Sequence, residues 1–186
     1  MTATFIIRDG LASDLSACLA LDHTYETDYV WQMSLTPEGG GWQVLFKKER
    51  LPRTLQTAYD ASEHRLRATV PPDHCFLVAG ERDSDVLYGY LSMRYEPSRR
   101  VGWIQDVMVD RAYRRAGVAS RLMRVARTWA IERGITRLMV ETQTRNVPSI
   151  GFCTALGFAF CGYNDRYLDQ QDIAVFFGQS LGQSAR

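Results

Sequence analysis

One short turn in the chain combines residue types and spacing that could bind an anion: Arg114-Arg115-Ala116-Gly117-Val118-Ala119. A strand-like run, residues 101–109, precedes this turn, and an amphipathic helical pattern follows it. In a strand, glycine turn and helix of this order, several backbone N–H groups point the same way, and the helix dipole adds partial positive charge. Glycine also lets the backbone approach a ligand closely. The spacing therefore predicts a cradle for a phosphate group.

This turn differs from the common nucleotide-binding motifs. A P-loop needs Gly-Lys-Ser/Thr, and the dinucleotide fingerprint needs three spaced glycines. The spacing Arg-x-x-Gly-x-Ala resembles that of the GNAT family of N-acetyltransferases, and the likeness extends over residues 86–160, through Asn146-Val147-Pro148 and Leu156-Gly157-Phe158. The alternative is a basic helix start in an ordinary α/β protein. The resemblance implies an α/β (α+β) fold with a mixed, centrally split β-sheet flanked by helices.

The resemblance implies acetyl coenzyme A as the co-substrate, with no metal. The pyrophosphate would lie on the turn, and the pantetheine arm would extend the sheet beside the preceding strand through backbone hydrogen bonds. Asn146 occupies the position of the family's asparagine, although its side chain could also cap a helix. The residues predicted to bind the coenzyme are Val107, Met108, Val109, Arg114, Arg115, Ala116, Gly117, Val118, Ala119, Ser120 and Asn146.

The reaction that the resemblance implies is direct attack of a primary amine on the thioester. A lysine-like amine has a pKa of about 10.4, so deprotonating it at pH 7 costs about 4.6 kcal/mol. A carboxylate or an ordered water should therefore act as the base. Asp106 and Glu141, near the ends of neighbouring predicted strands, are the candidates, and Asp106 is preferred. A structural hydrogen bond or exposure to solvent is the alternative for each.

The general acid is where the chain departs from the family. The family has a tyrosine in Phe-Tyr-x-x-x-Gly-Phe, and Cys153 stands at that position here. A thiol could donate a proton, but a buried cysteine is usually inert. Tyr163 or Tyr167 could substitute, and a backbone N–H of Val107 or Val109 would stabilise the oxyanion. The catalytic residues predicted are Asp106, Glu141, Cys153 and Tyr163.

An acidic and aromatic cluster follows the first predicted helix. Ion pairing and cation–π contact with such residues suit a cationic amine, while a solvated loop with a few core anchors is the alternative. The cluster consists of Asp22, His23, Tyr25, Glu26, Asp28, Tyr29 and Trp31, of which Asp22, Tyr25 and Trp31 are predicted to bind the substrate.

The acceptor itself is less defined than the donor. Residues 162–168, together with residues 172–177, resemble the tail of streptothricin-type acetyltransferases, which makes a polyamine antibiotic one option. A small-molecule amine is the expected acceptor. A protein or peptide amine, or a non-catalytic sensor that binds acetyl coenzyme A, are the alternatives.

Composition excludes several other classes of protein. The 22 basic and 21 acidic side chains give a net charge of +1, which argues against a nucleic acid or membrane partner. Four cysteines and three histidines are widely spaced, so they predict buried thiols in a reducing, cytoplasmic setting, without disulfides or a metal site. A homodimer is left open.

The chain of 186 residues is predicted to form one N-acetyltransferase domain, residues 1–186. Residues 1–72 would form its acceptor side, and residues 86–160 its acetyl-CoA-binding core. Residues 10–21 predict the first helix, and β-prone runs at 29–35 and 42–46 around Gly39-Gly40-Gly41 predict a hairpin. After the turn, apolar residues at helical spacing predict one buried helix face: Leu122, Met123, Ala126, Trp129 and Ala130.

Overall fold

The computed structural model describes residues 5–82, 84–168 and 172–182. The strands in these residues are β1 (Ile6–Asp9), β2 (Thr24–Glu38), β3 (Gly41–Ala58), β4 (Cys75–Gly80), β5 (Leu87–Glu96), β6 (Val101–Val109), β7 (Arg137–Gln143), β8 (Ala159–Asn164) and β9 (Ala174–Ser180). The α-helices are α1 (Leu15–Leu19), α2 (Glu63–Arg67), α3 (Val118–Glu132) and α4 (Val147–Ala155), with 3-10 turns at Ala12–Asp14 and Arg111–Tyr113. Each helix among these residues is too short or too polar to cross a membrane.

The described residues divide into two compact units. The first comprises those within Met1–Thr24, Ala58–Val140 and Gly178–Arg186, and the second those within Tyr25–Thr57 and Glu141–Phe177. The assignment of residues 1–186 to one N-acetyltransferase domain, with the inner boundaries given above, stays a prediction.

The first unit is built on a mixed sheet with the strand order β1-β4-β5-β6-β7. Neighbouring strands are antiparallel except β6 and β7, which are parallel because α3 carries the chain between them. Their pairing ends at Ile104 and Val140, although β6 continues to Val109. The mixed sheet with flanking helices confirms the predicted fold class, and the early end of the β6–β7 pairing agrees with the expected central split.

A β-bulge interrupts β6 where its pairing with β7 ends. Ser92 pairs with Asp106, whereas the next residue of β5, Met93, pairs with Ile104. Gln105 is therefore the extra residue of β6. Such a residue bends its strand and changes the direction of the backbone groups that follow it.

Helix α3 packs against β4, β5 and β6 through the apolar face that the sequence predicted. Leu122, Met123, Ala126 and Ala130 are all buried, as is Val118 at the start of the helix. Burial of each large apolar side chain contributes about 1.5–3 kcal/mol. Trp129 differs from the prediction because it is only partly buried, with the Arg133 guanidinium 4.0 Å from its ring centroid.

The first helix is shorter than predicted. A 3-10 turn, Ala12–Asp14, and the five-residue α1 replace the expected helix over residues 10–21. The Asp14 carboxylate accepts a hydrogen bond from the Leu11 N–H at 2.8 Å and pairs with Arg8 at 2.7 Å. These contacts fix the residues before α1 in a capped turn.

The second unit contains the predicted hairpin, which is longer than the sequence indicated. Strands β2 and β3 have 15 and 18 residues and pair as a separate two-stranded sheet. They reverse at Gly39 and Gly40, whose φ angles of 56° and 83° favour glycine. Strand β8, helix α4 and the parts of β7 and β9 that lie within Glu141–Phe177 complete this unit, with the strand order β7-β9-β8.

Candidate active site

The predicted anion cradle is a turn of unusual backbone conformation. Arg115 and Gly117 both have positive φ angles, 66° and 81°, and α3 begins directly afterwards at Val118. Gly117 is the N-cap of α3 and offers no side-chain cap. The first intrahelical bond runs from the Arg121 N–H to the Gly117 carbonyl at 3.0 Å. The N–H groups of residues 118–120 precede it, as expected of a helix N-terminus that can bind an anion.

The side chain of Arg114 holds this turn in place. Its guanidinium donates three hydrogen bonds to backbone carbonyls: to Val109 at 3.0 Å, to Thr24 at 2.5 Å and to Asp22 at 3.0 Å. Arg114 thus joins the end of β6 to the segment before β2. Its backbone N–H is engaged as well, because it donates to the Arg111 carbonyl at 3.5 Å. The role of Arg114 at the coenzyme stays a prediction.

Two backbone N–H groups of β6 point away from β5. The Asp110 N–H donates to the Tyr88 carbonyl at 2.9 Å, so these residues form a hydrogen-bonded pair. The antiparallel register then continues without a shift to Ser92–Asp106. Because hydrogen-bonded and non-hydrogen-bonded pairs alternate in such a ladder, the N–H groups of Val107 and Val109 face the opposite side. Either group could therefore donate to a ligand along this edge.

Asp106 lies immediately after the bulge, and its carboxylate is fully buried. One oxygen, Oδ1, accepts hydrogen bonds from the Tyr59 hydroxyl at 2.6 Å and the Arg65 Nη2 at 2.9 Å. The other, Oδ2, accepts a short hydrogen bond from the Ser92 hydroxyl. Burial raises the pKa of Tyr59, and the negative charge of Asp106 raises it further. Both carboxylate oxygens are thus occupied by donors from the first unit.

Tyr59, Arg65 and Ser92 were not singled out in the sequence. Arg65 lies on α2 beside the N-cap Ser62, whose side chain accepts from the Arg65 N–H at 3.4 Å. The sequence signal over this segment is weak. A lone arginine in a short polar helix carries no pattern that points to a partner 41 residues away.

In the second unit, Cys153 is buried within α4, with 3% of its surface exposed. Burial raises the pKa of its thiol to about 11. A buried thiol of this pKa is neutral near pH 7, and its proton is poorly accessible. The environment therefore favours an inert, buried cysteine over a general acid.

Asn146 is the N-cap of α4, and its Oδ1 accepts from the Ser149 N–H at 3.1 Å. The amide nitrogen is then the part of its side chain suited to a coenzyme contact. Glu141 is partly buried in β7. Tyr163, on β8, is partly buried and has its ring centroid 5.5 Å from that of Phe46. The roles predicted for these residues stay predictions.

Of the three predicted acceptor residues, Asp22 and Trp31 make structural contacts, and Tyr25 has a buried hydroxyl. The Asp22 carboxylate accepts from both the N–H and the hydroxyl of Thr24, and the hydroxyl bond lowers its pKa most. The Tyr25 hydroxyl is buried, which raises its pKa. Trp31 packs against an aromatic cluster of the second unit. The other rings of this cluster within 6.5 Å of Trp31 are Phe46, Phe160 and Phe177.

A cavity of about 490 Å³ lies in the second unit beside two other members of the predicted acidic cluster. Glu26 and Asp28 are two apart on β2, so their side chains share one face of the strand. The Asp28 carboxylate accepts from the Thr54 hydroxyl of β3 at 2.6 Å. The lining residues are Glu26, Thr27, Asp28, Thr54, Val147 and Pro148. Glu26 and Asp28 belong to the acidic cluster predicted from the sequence, whereas Thr54 and the start of α4 were not predicted to lie beside them.

Comparison with known proteins agrees with this geometry. Residues 23–158 match the acetyltransferase (GNAT) family. Streptothricin acetyltransferase of Streptomyces lavendulae is 27% identical over 160 residues, which cover 86% of this chain and 84% of that protein. The crystal structure of nourseothricin acetyltransferase is 25% identical, with a TM-score of 0.80 over 96% of this chain and 99% of that one. A Bacillus anthracis structure in complex with acetyl coenzyme A is 21% identical, with a TM-score of 0.77 over 97% and 100% of the two chains.

A mixed sheet whose bulged strand leads into an N–H-lined turn is the geometry expected of an enzyme that uses an acyl coenzyme A. The match covers well over half of the sequence, and the chain belongs to the acetyltransferase (GNAT) family. It is an acetyl-CoA-dependent N-acetyltransferase, as the turn and the residues after it predicted.

Proposed function

We propose that the enzyme acetylates a primary amine of a small, polycationic molecule such as streptothricin. The cavity of the second unit carries this proposal, because Glu26 and Asp28 on its wall give it an acidic lining. A cationic acceptor would be held there by charge-assisted hydrogen bonds. The resemblance of the chain to a streptothricin acetyltransferase over most of both lengths supports the same class of acceptor.

The donor side of the proposal rests on the turn before α3. The N–H groups of residues 118–120 and the uncapped Gly117 suit the pyrophosphate of acetyl coenzyme A, which supplies the activated acetyl group. The N–H groups of Val107 and Val109 would bind the extended arm and the developing oxyanion. Asn146 would add a contact through its amide nitrogen.

We assign the base to Glu141 or a water that it orders, in preference to Asp106. A base must accept a proton, and both oxygens of Asp106 already accept hydrogen bonds inside the first unit. Glu141 is only partly buried near the end of β7. The coenzyme thiolate is a good leaving group near neutral pH, because thiols have a pKa of about 8.5. Tyr163 would be the acid if the leaving group needs one.

A thiol-release assay over a panel of amines tests the proposal. The panel contains streptothricin, a single-amine metabolite and a lysine peptide. Cys161 is exposed and would react with the thiol reagent, so the assay uses the Cys161→Ser background. We expect the highest kcat/KM with streptothricin. A preference for the peptide would refute the proposed acceptor class, and coenzyme binding without turnover of any amine would indicate a sensor.

The role of the cavity has its own variant and control. Glu26→Gln with Asp28→Asn should raise the KM for the polycationic amine about tenfold or more, because charge-assisted hydrogen bonds contribute about 1.5–3 kcal/mol. The KM for acetyl coenzyme A should hardly change. Glu38→Gln removes a carboxylate at the exposed hairpin turn, away from the cavity lining, and serves as a control for loss of charge. Equal effects of both changes would contradict the assignment.

We also propose a cytoplasmic location. The four cysteines are free thiols, which suits a reducing compartment.

A further inference from the structure

The bulge at Gln105 has little support from its neighbouring strands. Pairing with β7 ends at Ile104, one residue earlier, and the register with β5 breaks at the bulge itself. The side-chain oxygen of Gln105 is buried without a hydrogen-bond partner among the described residues. The ladder holds Ile104 and Asp106 on either side of Gln105 but leaves Gln105 itself unpaired, and contacts from outside the ladder add to what holds the bulge.

A side-chain network of the first unit supplies those contacts. The Tyr59 hydroxyl lies 2.6 Å from Asp106 Oδ1 and 3.3 Å from the Gln105 carbonyl oxygen, so it reaches both residues of the bulge. This hydroxyl accepts a hydrogen bond from Arg65 Nη2 at 2.7 Å, which orients its own proton toward them. The Arg65 guanidinium also binds Asp106 through Nε at 3.3 Å and Nη2 at 2.9 Å.

The opposite side of Asp106 is fixed as well. The Ser92 hydroxyl on β5 donates to Oδ2. The carboxylate is thus held from α2, from the segment after β3 and from the sheet. One residue further along β6, the N–H of Val107 points away from β5, as the ladder requires. The peptide that carries this N–H directly follows Asp106, so a displacement of Asp106 would turn it.

We infer that Tyr59 and Arg65 are positioning residues that act through the Gln105 bulge and Asp106 to aim the Val107 N–H at the thioester carbonyl. The inference rests on the proposed function, because the N–H would stabilise the oxyanion formed when the amine attacks. Asp106 is then the centre of this network and not the base. The network should affect the rate of acetyl transfer much more than the binding of the coenzyme, whose pyrophosphate is proposed to lie on the separate turn before α3.

Tyr59→Phe is the variant that tests this inference with least disturbance. It removes one hydroxyl, and with it the contact to the Gln105 carbonyl, but leaves the ion pair of Arg65 and Asp106 intact. Small misplacement of a catalytic group costs about 10²-fold, and loss of an oxyanion donor about 10²–10³-fold. We expect kcat to fall about 10- to 100-fold, with the KM for acetyl coenzyme A within about threefold of the wild type.

Thr69→Val is the matched control. Thr69 is fully buried just after α2, and its hydroxyl donates to the Leu66 carbonyl at 2.8 Å. The change removes a similar buried hydrogen bond outside the network. It should lower the melting temperature but leave kcat unchanged. If Tyr59→Phe lowers kcat no more than Thr69→Val does, the network is merely structural and the inference is wrong.

Asp106→Asn separates positioning from base catalysis. If Asp106 only positions the bulge, this variant and Tyr59→Phe both lower kcat, and the double variant is little worse than either. The pH dependence of kcat keeps its acidic limb in all of them. Loss of that limb in Asp106→Asn alone would make Asp106 the base and overturn the inference.

An amide spectrum gives a test that needs no acceptor. In ¹⁵N–¹H spectra of the protein without ligands, Tyr59→Phe should shift the Val107 resonance more than Thr69→Val does. A wild-type enzyme inactive with every amine would refute the proposed function, while this shift would still test the link from Tyr59 to Val107. An unshifted Val107 resonance would refute that link even in an active enzyme.

Discussion

Replacing Gly117 by alanine would add a single Cβ to the turn before α3. Gly117 has a φ of +81°, and no atom of the described residues lies within 4 Å of the added Cβ, apart from its chain neighbours. Gly134, just after the other end of the same helix, has a φ of +69° and equally open surroundings. The two substitutions therefore carry the same conformational cost. Gly117→Ala changes the N-terminus of α3, whereas Gly134→Ala changes the region after its C-terminus.

The expected loss of stability follows from the left-handed backbone conformation of both glycines. An L-residue in the left-handed region costs roughly 1–2 kcal/mol, so each variant should lose about that much stability. At Gly117 the Cβ would also hold a phosphate away from the N–H groups of residues 118–120. Weakening one charge-assisted hydrogen bond costs about 1.5–3 kcal/mol. Since about 1.4 kcal/mol is tenfold in affinity, Gly117→Ala should bind acetyl coenzyme A at least about tenfold more weakly.

Calorimetric titration with acetyl coenzyme A, together with urea unfolding, measures both quantities. We expect equal losses of stability in Gly117→Ala and Gly134→Ala, and weaker coenzyme binding in Gly117→Ala alone. Equal affinities in the two variants would show that the turn does not bind the pyrophosphate. The turn would then not be the phosphate cradle, even if both variants lost the expected stability.

Three further predictions concern titratable groups. Glu141→Gln should remove the acidic limb of the kcat/KM profile against pH, because the base is lost; an unchanged limb would exclude Glu141. Cys153→Ala should change kcat by less than about threefold, since a buried thiol of pKa about 11 is a poor proton donor, and a loss of 10²-fold or more would restore it as the general acid. Burial lowers the pKa of His23, so the unfolded chain binds its proton first as the pH falls below about 6.5. Stability should therefore fall between pH 7 and 5.5 by urea unfolding, and less so in His23→Gln; an identical fall would contradict this.

Features encoded by neighbouring residues could be predicted from the sequence. The turn at Gly117 needs a positive φ, and the cap at Asn146 acts on the residue three positions later, so both leave a local pattern. The hairpin was visible for the same reason, because Gly39 and Gly40 lie between β-prone runs. The length of the hairpin could not be predicted, because the outer parts of β2 and β3 are largely exposed and lack a regular apolar alternation.

Features that depend on distant partners escaped sequence reasoning. Arg114 matches the family spacing, but its guanidinium reaches the Thr24 carbonyl, 90 residues earlier. Asp106 was predicted to be a base because it is an acid near a strand end, and its contacts with Tyr59, 47 residues earlier, and with Arg65 leave no signal in the sequence. No periodic pattern marks such pairs. The acidic cluster was recognised as a group, yet which of its members line the cavity depends on the pairing of β2 with β3.

The first unit draws on three separate stretches of chain, the last of which begins at Gly178. The Leu181 N–H closes it by donating to the Thr136 carbonyl at 2.8 Å, 45 positions earlier, and the second unit's segment Glu141–Phe177 lies between these two residues in the sequence. During synthesis, neither unit can be completed until β9 has left the ribosome. Loop closure over such separations slows folding. We therefore expect both units to fold slowly, and only after residues 174–181 have been synthesised.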